Sequence, residues 1–165
     1  MKGNLFILIT VFTSILVVIL GVFLVSATSP KVLSSNESAK LEPVGELTFD
    51  WGDIDINGGN AEKVFEFKSA GTGDLQVSGF KTSCACTEAL VIINGVAGPV
   101  FGMHTSSPWV GTLKPGDAAS VRVVFNPLFH GPQALGPVTR YITFSTNDPN
   151  NKSVEYTLTG NVVER

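Results

Sequence analysis

The residues best suited to chemistry are Cys84 and Cys86, the only two cysteines among 165 residues, set in the stretch KTSCACTEA. A thiolate can bind a metal or enter a disulfide, and an unreactive thiol packs as a small apolar group. In an extended segment residues i and i+2 share a face, so the two Cα atoms would stand about 6.5–7 Å apart. That spacing suits two thiolates converging on one soft ion, and it lies near the upper limit for a relaxed disulfide. Apart from the initiator methionine, the soft donors of the chain are Cys84, Cys86, Met103, His104 and His130. Thiolate, thioether and imidazole together favour Cu(I), with Zn(II) an option when methionine is left out. Three readings therefore stand side by side: a metal site drawn from these five residues, a buried pair packed in the core, and a strained or redox-active C-x-C disulfide. For the other donors the plain roles are a solvated loop histidine (His104), a loop anchor (Met103) and a histidine that holds a turn (His130).

Catalytic fingerprints do not appear. The chain has no phosphate loop, no G-x-S-x-G elbow and no H-E-x-x-H. Asp50, Asp53, Asp55 and Glu88 are the carboxylates that hydrolysis would need in one cleft. The first three lie in a turn-rich stretch where acidic side chains commonly cap backbone amides. The expected function is binding, not catalysis. A net charge of −3 with no basic run argues against a nucleic-acid partner.

The elements that must position these residues read as strands. Seventeen glycines and nine prolines punctuate short apolar clusters. From Val44 onward the period is two: Phe65 and Phe67 alternate with Glu66 and Lys68, as do Val121, Val123 and Phe125, and later Val154, Tyr156 and Leu158. With Phe144, these form the expected core. About seven strands with regular turn signals predict an all-β, immunoglobulin-like antiparallel β-sandwich over residues 44–165. Two long Gly/Pro-rich connections interrupt it. Residues 93–112 carry Met103, His104 and Trp109, and residues 126–138 carry His130. The first is expected to fold back over the cysteines, anchored by Phe101, Met103 and Trp109.

Residues 5–25 contain neither charge nor proline. Roughly 20 apolar residues cross a bilayer as a helix, so residues 1–27 are expected to be a transmembrane signal-anchor touching the membrane through residues 5–25. A cleaved signal peptide is the alternative, with Val25-Ser26-Ala27 as its cleavage site. Residues 28–43 read as a flexible linker. The short tail before the apolar segment suggests that the domain faces the periplasm or the cell exterior, where an envelope protein would be its partner.

The run F-D-W-G-D-I, F-E-F-K-S-A-G, T-S-C-A-C-T, L-K-P-G-D, V-V-F-N-P, F-S-T-N-D-P and L-T-G-N-V resembles a family of bacterial immunoglobulin-like domains of unknown function. That family carries an S-C-x-C-T signature and is similar to Hydin-type and major-sperm-protein-like β-sandwiches. The likeness covers roughly residues 44–163. It implies the fold and an exported, often membrane-anchored setting, and it brings no established activity. The two long connections depart from the short family pattern.

Overall fold

The computed structural model describes residues 2–28 and 33–165. Helix α1 (Lys2–Thr28) contains the span Ile7–Val25, whose mean hydropathy of 2.9 makes it long and apolar enough to cross a membrane. The side chains of this span are all exposed. A signal sequence has the same properties.

Ten strands follow: β1 (Leu41–Val44), β2 (Thr48–Asp55), β3 (Ala61–Ser69), β4 (Leu75–Thr82), β5 (Thr87–Ile93), β6 (Val96–Phe101), β7 (Val110–Leu113), β8 (Ala118–Phe125), β9 (Gly136–Thr146) and β10 (Ser153–Val163). They form two five-stranded sheets, ordered β1-β3-β8-β5-β6 and β2-β10-β9-β4-β7. The chain is thus an all-β, immunoglobulin-like sandwich preceded by one apolar helix. Pairing is antiparallel except between β2 and β10, which run parallel. The chain leaves the first sheet after β1, turns at Gly45 (φ 86°) and enters the second sheet as β2.

The alternating residues fill the space between the sheets. Phe65, Phe67, Val123, Phe125, Phe144, Tyr156 and Leu158 are all buried. Phe65 stacks on Tyr156 at 4.2 Å, and Phe80 stacks on Phe144 at 4.5 Å. Such pairs add to the large area each ring removes from water. The Tyr156 hydroxyl is buried with no hydrogen-bond partner among the described residues, and burial pushes its pKa far up. An unpaired buried hydroxyl costs about 1–3 kcal/mol. Tyr156→Phe is therefore expected to match or exceed the wild type in urea unfolding. A loss above about 1 kcal/mol would reveal a bonded hydroxyl.

Two expectations need correction. Residues 29–32 of the expected linker lie outside the described residues, but its second half belongs to the domain. Leu41 is buried, β1 pairs with β3, and the Asn36 amide donates to the Asn147 carbonyl. Gly71 lies against this segment so closely that a methyl group there would collide with the Ser38 carbonyl and the Lys40 amide. The connection over 93–112 is not all loop either. Asn94 and Gly95, both at positive φ (50° and 80°), make the tight turn of a hairpin between β5 and β6.

Candidate functional site

Strands β4 and β5 lie in different sheets, so Ser83–Cys86 must cross from one to the other at one end of the sandwich. The crossing is a turn, not the extended segment that the i, i+2 argument assumed. The buried Thr82 hydroxyl shares its one proton between the carbonyls of Cys84 and Thr87, each at 2.9 Å. The Thr87 amide donates to the Cys84 carbonyl at 3.1 Å. Ser83 pairs with Tyr141 of β9 in both directions, at 2.9 Å each. The hydroxyl residues of T-S-C-A-C-T thus fix the turn that presents the sulfurs.

The turn brings the two Cα atoms to 5.2 Å, and the sulfurs form a disulfide. This separation is inside the ordinary range for such a bond. Cys86 is 3% exposed and packs with Ile54, Ile56, Phe125 and Val162, a small cluster beneath this end of the sandwich, whereas Cys84 is half-buried. Cys86 is thus at once packed among apolar side chains and disulfide-bonded.

A histidine stands beside the outer sulfur. Asn126 follows β8 and caps a short 3-10 helix, Pro127–His130, its side chain accepting from the Leu128 amide at 3.0 Å. The Asn126 amide in turn donates to the Cys86 carbonyl at 2.9 Å, so the two segments are bonded directly to each other. This places His130 Nε2 3.4 Å from Cys84 Sγ. Cys84, Cys86 and His130 each offer a donor atom, all within 4.8 Å of one another. The exposed His130 ring meets Phe129 edge-on at 5.1 Å.

Met103 and His104 take another course. They occupy a turn in which the Thr105 side chain accepts from the Gly102 amide. Met103 is 44% exposed, and His104 stands outside the group of three donors. Phe101 and Trp109 do anchor this segment, but onto the main core, where both meet Phe80.

Sequence reasoning missed Arg140. Its Nε donates to Cys86 Sγ at 3.1 Å, its Nη1 to the Thr139 carbonyl, and its guanidinium lies 5.0 Å from the centre of the Phe125 ring. Burial lowers the pKa of this guanidinium, which nonetheless stays cationic. The signal was present in the alternation Val138, Arg140, Ile142, Phe144, which puts an arginine on the inward face of β9. A cavity of about 270 Å³ lies next to Cys86, bordered by Asn60, Glu88, Asn126 and Phe129.

Together these features define a class: an immunoglobulin-like domain with a disulfide turn closing one end, a histidine outside it and an arginine behind it. Neither a family model nor a curated protein matches the sequence. Among solved structures, a protein of unknown function from Porphyromonas gingivalis is similar at 15% identity with a TM-score of 0.57, over 79% of this chain and 50% of that one. The chain thus spans half the length of that relative. A PapD-like domain of human CEP192 matches at 17% identity and a TM-score of 0.48, over 82% and 93% of the two chains. At 15% identity the likeness to the Porphyromonas protein speaks for the fold alone.

Proposed function

We propose that this protein is a membrane-tethered, extracytoplasmic immunoglobulin-like module of the cell envelope that acts by binding a protein partner. The observation that carries the proposal is the division of apolar surface. The sandwich buries its own core, while Ile7–Val25 exposes every side chain and suits lipid. The resemblance to the exported S-C-x-C-T family belongs to the same reading. So does the Cys84–Cys86 disulfide, since such bonds persist in oxidising compartments.

Binding is favoured over hydrolysis by what the acidic residues do. Asp50 and Asp55 accept from the amides of Gly52 and Asn57, which makes them turn caps. Asp53 is held below its ordinary pKa, first by a hydrogen bond from Arg165 and then by one from Asn161. Lys68, Lys114, Arg122 and Arg165 each pair with a carboxylate, which disfavours a nucleic-acid partner. Surfaces for a protein are the β6 edge, with Val96 and Val100 exposed, and the 3-10 helix, where Phe129 is 51% exposed.

The test is topology in a bacterial host with an envelope. Full-length chain should sediment with membranes, and protease added outside the inner membrane should digest the domain. A protected domain would reverse the orientation. Release of a shortened soluble chain would make α1 a signal sequence and remove the tether from the proposal.

A further inference from the structure

We propose that the Cys84–Cys86 disulfide is the closed form of a redox-gated Cu(I) site, in which Cys84, Cys86 and His130 are the ligands and Arg140 is the counter-charge. The inference rests on this end of the sandwich and not on the binding role proposed above.

The donors already converge. Thiolate and imidazole bind a metal at about 2.3 Å and 2.0–2.1 Å, so three of them around one ion stand roughly 3.5–4 Å from each other. Cys84 Sγ and His130 Nε2 are 3.4 Å apart. Opening the disulfide lets the sulfurs separate by side-chain rotation while the 5.2 Å Cα spacing is kept. The frame does not depend on the S–S bond. Thr82 and Thr87 hold the Cys84 carbonyl, and the amide of Asn126, the residue that caps the His130 helix, holds the Cys86 carbonyl. Cys84 and His130 face solvent and give the ion a way in, while Cys86 forms a dry back wall.

Charge selects the ion. Two thiolates with a monovalent cation leave a net charge of −1, and the Arg140 guanidinium, 3.1 Å from Cys86 Sγ through its Nε, neutralises it. A divalent ion with the same ligands is already neutral and would meet an uncompensated cation. Zn(II) also asks for four ligands, whereas this end brings three protein donors together. Soft sulfur donors favour Cu(I) on their own account.

The step balances with a dithiol as reductant. The dithiol gives two electrons and two protons, the S–S bond breaks into two thiols, and the dithiol leaves as its own disulfide. Cu(I) then displaces the two thiol protons to solvent. In the reverse direction a disulfide oxidant takes the two electrons and two solvent protons and leaves as its own dithiol, the S–S bond of the pair re-forms, and the ion, with both thiolate ligands gone, is released.

The experiment uses full-length protein in detergent, handled anaerobically. It is reduced with a dithiol, freed of reductant, and titrated with Cu(I) against a chromogenic Cu(I) chelator. Reduced wild type should withdraw one Cu(I) per chain and show a thiolate-to-copper ultraviolet band. Oxidised wild type, the same sequence with the gate closed, should withdraw none. His130→Ala and Cys84→Ser/Cys86→Ser should bind more weakly than wild type. Arg140→Gln should weaken Cu(I) by about tenfold, as loss of an outer-sphere partner does, without weakening Zn(II). Equal binding by oxidised and reduced wild type would overturn the proposal. So would no binding by reduced protein that keeps its circular dichroism. Unfolding on reduction would also overturn it, by making the disulfide a purely structural bond.

Discussion

A chain that begins at Val44 is expected to unfold at a much lower urea concentration than one that begins at Leu33. The first start lies where the alternating sequence pattern begins, four residues before β2, but it deletes all of β1 except its last residue. Leu41 is buried against the core, and burying a leucine contributes about 1.5–3 kcal/mol. Its loss also strands groups that the segment satisfies. The amides of Thr72 and Gly73 donate to the Ser38 carbonyl, the Ala70 amide donates to the Lys40 carbonyl, and Asp148 accepts from the Leu41 amide. Some of these groups become wet after deletion, but Asp148 is fully buried, and an orphaned partner there costs about 1–3 kcal/mol. The expected loss is about 3–6 kcal/mol, a large share of the 5–15 kcal/mol typical of a domain. With a urea slope of about 1–3 kcal/mol per molar, the midpoint should fall by at least about 1 M. Equal midpoints would return residues 33–43 to the status of a linker.

The contrast between β3 and β1 shows what the sequence could disclose. In β3, Phe65 and Phe67 alternate with charged residues, so period and face are legible at once. β1 is four residues, LEPV, with Leu41 as its one buried side chain. Its strand character comes from pairing with β3 and from Asp148, 107 positions away, which no local pattern announces. Pro43 is tolerated because β1 is an edge strand. The β5–β6 hairpin was readable, since Asn94-Gly95 between apolar runs is a strong turn signal, but the glycines and prolines around it suggested loop. At the candidate site, residue types singled out five soft donors, of which the fold brings Cys84, Cys86 and His130 together and leaves Met103 and His104 apart. The turn that draws the cysteines to 5.2 Å depends on Thr82, whose two acceptors sit across a sheet crossing, and a strand rise cannot anticipate that. Arg140 was hidden for a related reason: an arginine on an inward face looks like an error of register until Cys86 and Phe125 supply its partners.

Asp148→Ala is expected to cost about 3 kcal/mol at neutral pH, and the cost should shrink in acid. Asp148 is the aspartate of S-T-N-D-P and sits between the end of β9 and the start of β10. One carboxylate oxygen accepts from the Leu41 amide at 2.9 Å and from the Asn151 side chain at 2.8 Å, and the other accepts from the Asn150 amide at 2.8 Å. Burial alone would raise its pKa. The hydrogen bonds from the Asn151 side chain and from the amides of Leu41, Asn150 and Asn151 outweigh it, and the pKa ends below the ordinary carboxyl value. A carboxylate whose folded pKa is lowered binds protons more readily in the unfolded chain. Its contribution is therefore complete above the unfolded value, near pH 4, and is lost as pH falls through the lowered folded value. Wild type and Asp148→Ala should differ most at pH 7 and converge toward pH 2–3. Asp148→Asn, which keeps one acceptor oxygen, should fall between them at pH 7 and show a flatter acid limb than wild type. Urea midpoints of the three proteins from pH 2 to pH 8 measure both effects. A gap that widens on acidification would contradict the assignment, and so would a loss below about 1 kcal/mol at pH 7.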